Sequence, residues 1–325
     1  MNYRYNYLNN FLKNKFGERV LKICVDGGFT CPNRDGTCGI NGCIFCNARG
    51  SGERIDNTKS IKEQVLSQLE YKKEKANKFI VYFQNFSNTY GAIEKLKEKY
   101  DQALCDNRIV GLAIATRPDC LDEEKVKLIK SYSKKYYVWV ELGLQTVNDE
   151  ISEKINKGYD LKVFEEAVKL LNKYEIDAVV HIMVGLPDEK KQDIIDTVDF
   201  INNHKISGIK IHSTYIVKNT KLAEMYERSE YEPISFEYYM ENLIYIITHL
   251  KKEIVIHRFT GDPPKNELIA PMWELHKKKV MNTLNNTLEK GNLYQGIYWY
   301  IKIGGNLWKL NLREYIITME MNTEF

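Results

Sequence analysis

The sequence predicts an α/β fold built from repeated strand–helix units, and three observations lead there. Short β-branched or aromatic runs recur at Val20–Val25, Phe79–Phe83, Ile109–Ala115, Tyr136–Leu142, Ala178–Val184 and Ile209–Val217. Longer polar segments with helical periodicity separate them, at roughly the 30-residue spacing of a βα unit. No G-x-G-x-x-G or G-x-x-x-x-G-K-[ST] follows any of the runs, which weakens a nucleotide-binding fold. Six units suit a partial (β/α) barrel or an open doubly wound sheet, and the pattern leaves both open.

The elements follow in order. Residues 1–18 form an N-terminal segment rich in Tyr, Asn and Lys, and the core runs over 19–250. Within it, Phe164, Ala167, Val168 and Leu171 share one helix face behind an N-cap at Asp160. Ile194, Val198 and Ile201 do the same in the next interval. A helix is expected from Ser235 to Leu250, then a short strand at Ile254–Ile256 and a helix over Pro271 to Leu288 in an extension covering 251–294. A tail of unassigned role, 295–325, contains Trp299, Gly304-Gly305 and Trp308.

Hydrophobic content of 43% and charged content of 28% describe an ordinary globular chain and exclude a disordered one. The start of the chain has no apolar signal stretch and no later segment reaches membrane-spanning length, so no membrane association is expected and the chain is read as cytoplasmic. The formal net charge of +3 does not by itself indicate a nucleic-acid partner. Basic runs at Lys72-Lys73, Lys134-Lys135, Lys190-Lys191 and Lys277-Lys278-Lys279 read as solvated helix faces.

Seven cysteines argue for metal or redox chemistry rather than disulfides, because five of them crowd into one stretch: Cys24, Cys31, Cys38, Cys43 and Cys46. Cys43-x-x-Cys46 places two thiolates within reach of one centre, and Cys31 can close the site across a glycine-rich loop. The stretch follows the first strand, at the end of a barrel where working residues collect. Three readings compete: a [4Fe–4S] cluster on Cys31, Cys43 and Cys46, a closed zinc site that adds Cys38, or a thiol redox pair. Spacing alone does not separate the first two.

The runs Phe29-Thr30-Cys31-Pro32-Asn33-Arg34-Asp35-Gly36-Thr37 and Gly42-Cys43-Ile44-Phe45-Cys46 resemble the YhcC/YtqA-like radical S-adenosylmethionine (SAM) family, relatives of the catalytic subunit of Elongator. The likeness continues through Thr116-Arg117-Pro118-Asp119, Glu141-Leu142-Gly143-Leu144-Gln145-Thr146 and His181-Ile182-Met183-Val184-Gly185-Leu186-Pro187. It also takes in His257-Arg258-Phe259-Thr260-Gly261-Asp262 and Pro271-Met272-Trp273, and so covers most of the chain to about Leu288. The long gap between the first two cysteines agrees with this family rather than with the commoner CxxxCxxC. Nothing matches the acyltransferase domain of Elongator's catalytic subunit, so acetyl-CoA chemistry is not expected.

The resemblance implies a partial (β/α)6 TIM-type barrel of the radical SAM class with a C-terminal helical extension. It implies a [4Fe–4S] cluster held by Cys31, Cys43 and Cys46, with Cys24 and Cys38 as bystanders, and SAM on the open iron. Reductive cleavage of SAM then yields a 5′-deoxyadenosyl radical that takes a hydrogen atom from substrate. Expected SAM contacts lie at strand ends: Phe45, Gln84, Asn85, Thr116, Arg117, Glu141, Gln145, His181, Met183 and Gly185. Plain structural alternatives exist for several: Glu141 paired with Arg117, His181 as a satisfied core histidine, Met183 as core filler and Gln145 as a helix cap.

Kinship with Elongator implies a tRNA substrate, a wobble uridine side chain, and a low-potential electron donor such as flavodoxin or ferredoxin. A small metabolite or a protein is the alternative substrate, and a zinc-stabilised non-catalytic binding module is the alternative class. Arg258 is the expected substrate contact, stacking with Phe259 on an unpaired base or gripping phosphate, unless it pairs with Asp262 to seal the barrel. The residues that perform catalysis are not specified.

Overall fold

The alternating patterns fold into one curled parallel sheet sheathed by helices, in a computed structural model that describes residues 4–50 and 55–299. The chain runs α1 (Leu8–Phe16), β1 (Val20–Val25), α2 (Ile61–Lys72), β2 (Lys78–Phe83), α3 (Ile93–Ala103), β3 (Ile109–Thr116) and α4 (Glu123–Tyr132). It continues with β4 (Tyr137–Gln145), α5 (Asp149–Lys154), α6 (Leu161–Lys173), β5 (Asp177–Val184), α7 (Lys191–Asn203), β6 (Gly208–Ser213) and β7 (Ile216–Val217). Then come α8 (Lys221–Glu227), α9 (Phe236–His249), β8 (Val255–Arg258), β9 (Leu268–Ala270) and α10 (Lys277–Lys290). The sheet order is β1-β2-β3-β4-β5-β6-β8, and every neighbouring pair is parallel. Parallel neighbours joined by outer helices make a partial TIM-type barrel.

Local signals explain the helix starts. The Asp160 carboxylate accepts from the Val163 N–H at 2.9 Å and opens α6. Ser60 and Glu63 form a reciprocal capping box at α2. Ser235 accepts from the Tyr238 N–H at 3.0 Å and opens α9.

Three expected elements differ. The run Ile209–Val217 is two strands, because β7 leaves the barrel sheet and pairs antiparallel with β9. The strand expected in the extension is β8, which pairs with β6 as the seventh strand of the barrel sheet. The helix expected over Pro271–Leu288 is a 3₁₀ turn, Met272–Leu275, followed by α10, with a break at His276 where ψ is 53°. The expected tail is described only to residue 299, so Gly304-Gly305 and Trp308 lie outside the described residues. Among the described residues no helix is long and apolar enough to cross a membrane.

Two cores flank the sheet. Outward residues such as Ile23, Val81, Leu112 and Val140 belong to one apolar cluster with Val65 of α2, Val168 of α6 and Val198 of α7. Inward residues Val20, Ile80, Ala113, Trp139, Val179 and Val255 pack instead against Leu8 and Leu12 of α1. Helix α1 thus plugs the end of the barrel where the strands begin, and each buried Leu contributes about 1.5–3 kcal/mol. The N-terminal segment is tied down beside it. The Ile256 N–H donates to the Asn6 carbonyl at 2.7 Å, and the Asn6 N–H to Gln295 Oε1 at 2.8 Å.

Further along the same inward face the chemistry changes. Lys22, Cys24, Tyr82, Glu141, His181, Lys210 and His212 replace the apolar residues. The plug therefore leaves a chamber that is apolar at its base and polar towards the strand ends.

Candidate active site

The cysteine loop follows β1 and is held by its backbone before any centre is bound. The Gly42 N–H donates to the Asn33 carbonyl at 2.7 Å and the Cys46 N–H to that of Cys43 at 2.9 Å. Gly42 sits at φ +67°, and a Cβ there would lie 3.1 Å from Arg34 Cγ, so a side chain would strain both backbone and neighbour. The loop is stitched to the segment after α5. Asn33 Nδ2 donates to the Asn156 carbonyl at 2.6 Å, and Asn156 Nδ2 returns a bond to the Gly42 carbonyl at 2.7 Å. Ile44 is buried among Ile151, Ile155 and Leu222, which fixes the turn between the two close cysteines.

Cys31, Cys43 and Cys46 of the loop line one cavity of about 820 Å³, as does Cys24 from within β1, whereas Cys38 is exposed and does not line it. Among the described residues no three His, Cys, Asp or Glu side chains converge as ligands of a single ion. Cys38 stands apart from the space that Cys31, Cys43 and Cys46 share. Three thiols standing around a shared space, each able to take a different metal atom, fit the donor set of a cluster with one iron left open. Burial, then the neighbouring Cys46, pushes the Cys43 thiol up to about 12, while Arg117 and Asn33 pull the other way. Cys46 and Cys31 each oppose ionisation of Cys43, and a metal centre would bring the positive charge that offsets this. Arg34 lends some from outside, with one guanidinium nitrogen 3.6 Å from Cys46 Sγ and 2.8 Å from the Asn47 carbonyl.

Deeper in, Glu141 organises a polar cluster. Its Oε1 accepts from Trp139 Nε1 at 2.9 Å, and its Oε2 accepts from His181 Nε2 at 2.8 Å and from the Lys210 ammonium. Lys210 also donates to the Tyr82 hydroxyl at 3.0 Å. Burial opposes ionisation of Glu141, but Lys210, His181 and Lys22 outweigh it and hold the carboxyl well below the usual range. Burial also draws Lys210 down to about 7 despite the pull of Glu141. His181 is drawn to about 4 by burial and by Lys210, so at neutral pH it is a neutral donor.

The sequence-predicted contacts divide on this geometry. Phe45, Gln84, Thr116, Arg117, Glu141, Gln145, His181, Met183 and Arg258 all line the cavity. Asn85 and Gly185 do not: the Asn85 amide donates to Asp26 Oδ2 at 2.8 Å, and the Gly185 N–H to Glu189 Oε2 at 2.6 Å. Glu141 is not paired with Arg117, whose guanidinium grips Asp119 at 2.9 and 2.6 Å and the Lys157 carbonyl at 2.8 Å. Gln145 is not a helix cap, since Asn148 caps α5; Gln145 ends β4 at φ +58°, accepting from the Tyr159 hydroxyl at 3.4 Å. A non-glycine residue in that conformation beside a cavity is the kind of strain that marks functional sites.

The proposed Arg–aromatic pair is also corrected. Phe259 is buried and stacks on Tyr7 with ring centroids 5.4 Å apart, so it is not open to a base. His257 is not a cation, because burial and then Lys22 hold it well below its usual range. Arg258 lines the cavity and touches Asp262 only at 3.9 Å, while Asp262 forms a close ion pair with Lys277. Lys22, Tyr82, Lys210 and His212 were not anticipated. Their signal was single polar residues at alternate positions of apolar strand runs.

Comparison with known proteins adds to this geometry. The family model described as the radical SAM superfamily matches residues 35–201, and that of the radical SAM C-terminal domain matches residues 206–290. YtqA of Bacillus subtilis is 37% identical over 300 residues, covering 91% of this chain and 93% of YtqA. A tRNA uridine(34) acetyltransferase of Methanocaldococcus jannaschii is 27% identical over 208 residues, 62% of this chain but 34% of that enzyme. The solved structure of N-terminally truncated Elp3 from Methanocaldococcus infernus superposes with a TM-score of 0.65 at 18% identity. It covers 85% of this chain and 64% of its own, so this chain spans less than two thirds of that structure and shares its fold.

Proposed function

This chain belongs to the radical SAM superfamily, and we propose that it uses a [4Fe–4S] cluster on Cys31, Cys43 and Cys46 to modify a wobble uridine side chain in tRNA. The family's cofactors are a [4Fe–4S] cluster and SAM. The observation that carries the assignment of ligands is that these three thiols of one loop share a cavity with a polar inner wall while Cys38 of the same loop stands outside it; Cys24, which also lines the cavity, lies within β1 rather than on the loop. When bound, the cluster and SAM supply one-electron reductive cleavage of the sulfonium to methionine and a 5′-deoxyadenosyl radical that abstracts hydrogen from substrate. The electron comes from a low-potential donor such as flavodoxin or ferredoxin.

The chain's own residues position and shield that chemistry. Arg34 and Asn33 donate toward the thiolates. Phe45, half-buried on the Ile44 cluster, offers an apolar surface to an adenine. Arg117, locked by Asp119, holds the carbonyl of Lys157 and so braces the segment to which the cysteine loop is stitched. Gln84, Thr116, Gln145 and Met183 line the wall between the cysteines and the Glu141 cluster and are the candidate SAM contacts. Helix α1 excludes water from the far end of the barrel.

Support for RNA comes from the likeness to an enzyme named for uridine 34 of tRNA. A base of the single-stranded anticodon loop can be splayed into such a mouth. The test compares nucleosides of bulk tRNA from a deletion strain and its parent, with 5′-deoxyadenosine formation by reconstituted protein as the companion readout. The expected result is a change in one modified uridine, restored by the gene. An unchanged nucleoside profile alongside active SAM cleavage refutes the tRNA substrate and points to a small metabolite or protein.

A further inference from the structure

The inner wall of the cavity carries more positive than negative charge, and we infer that it binds an anionic group, a carboxylate or a phosphate, of the molecule that enters the chamber. The inference rests on the reading that this cavity is the substrate chamber. Lys22 on β1, Lys210 on β6 and Arg258 on β8 line it together; Glu141 faces Lys22 and Lys210, and Asp262 lies beside Arg258. Strands β1 and β8 are the two edges of the curled sheet, so the three cations bracket the lateral gap between those edges.

Two of the three keep capacity for a further partner. Lys210 is committed to Glu141 and Tyr82. Lys22 has no hydrogen-bond or ion-pair partner among the described residues; its ammonium lies 5.1 Å from the Tyr82 ring centroid. Among the described residues Arg258 has only the 3.9 Å ion-pair contact to Asp262, an acid that Lys277 already neutralises. Beside them, His212 Nε2 is buried without a hydrogen-bond partner among the described residues.

Lys22 is half-buried without a matching carboxylate, which is costly unless a counter-ion arrives, while Arg258, its side chain 36% exposed, offers a charged fork at the solvent side of the same wall. The same low-dielectric wall makes their attraction for an anion stronger than it is in water. The neutral imidazole of His212 supplies a further polar contact that needs no counter-charge. Burial holds Lys22 below its usual range, a cost that an anion beside it relieves. The positions are specific: Lys22 follows Val20 of the apolar plug by two residues on the same face of β1, and Arg258 ends β8.

The test titrates full-length, cluster-reconstituted protein with inorganic phosphate and separately with acetate, by calorimetry, with SAM present so that its own site is filled. Saturable binding of at least one probe is expected, and the tighter of the two tells phosphate from carboxylate. Affinity should weaken about tenfold or more in Lys22→Met and in Arg258→Gln, the loss of one charge-assisted contact. Absence of saturable binding by wild-type protein, or unchanged affinity in both Lys22→Met and Arg258→Gln, overturns the site. No RNA and no turnover enter this measurement, so its failure leaves the tRNA reading standing, and an unchanged tRNA profile leaves the anion site standing.

Discussion

Glu141→Gln removes the carboxylate to which Trp139, His181 and Lys210 all donate. The glutamine oxygen can still accept from Trp139 or His181, but its amide is a donor and cannot serve Lys210. The Glu141 side chain is 0% exposed and that of Lys210 is 4% exposed, so water does not substitute for the lost partner. Removing one member of a buried pair costs about 3–5 kcal/mol. The lower end is expected here, because burial already draws Lys210 down to about 7 and the ammonium can shed its proton. Lys210→Met alone strands Glu141 with His181 and Trp139, at a similar cost. The double variant leaves no uncompensated charge, so it should be about 2–3 kcal/mol more stable than the sum of the single losses. Guanidinium denaturation of all four proteins, followed by circular dichroism, measures the cycle. A coupling below about 0.5 kcal/mol shows that the pair is not the unit that holds the inner wall.

Other perturbations read other parts of the molecule. Replacing Cys31, Cys43 or Cys46 by Ala should abolish iron and acid-labile sulfide after anaerobic reconstitution, while Cys24→Ala and Cys38→Ala retain most of both; equal losses in Cys38→Ala and Cys43→Ala refute the three-ligand assignment. Glu189 tests pH dependence: burial drives its carboxyl from the ordinary 4.5 up to about 8, against the Gly185 N–H that it accepts. A raised folded pKa means the contribution to stability is intact below 4.5 and is lost as pH rises towards 8. Glu189→Gln removes that loss, so the variant's melting temperature relative to wild type should climb between pH 5 and pH 8; a constant difference across that range refutes the assignment.

The barrel was legible because its two periods are unambiguous over long stretches. Phe164, Ala167, Val168 and Leu171 lie on one helix face behind a cap that the structure shows in place. The run Phe79–Phe83 is apolar on both faces, as a doubly covered parallel strand must be. Short segments after β6 were not legible, because two residues of β7 and four of β8 carry too little pattern to say which sheet they join. Misplacing β8 had a chemical consequence. Once it completes the barrel sheet, Phe259 falls against Tyr7 in the core and is no longer available to stack on a base.

The partner of Glu141 illustrates the deeper limit. Arg117 is the cation nearest to it among the recognised motifs, yet it follows the end of β3 and turns to Asp119 two residues on. Lys210 reaches Glu141 from two strands away, across β5, which is possible only because the sheet is curled. Sequence spacing carries no measure of that curl. It does carry something else. In a parallel strand covered by helices outside and by the barrel inside, neither face meets bulk water, so a lysine such as Lys22 or Lys210 has no inexpensive position. Surface solubility does not explain it there. A polar residue repeated at i and i+2 in such a run, as in Lys22 and Cys24 or Lys210 and His212, therefore points into the barrel. It does so at the level where the chain meets its ligand, before any partner is known.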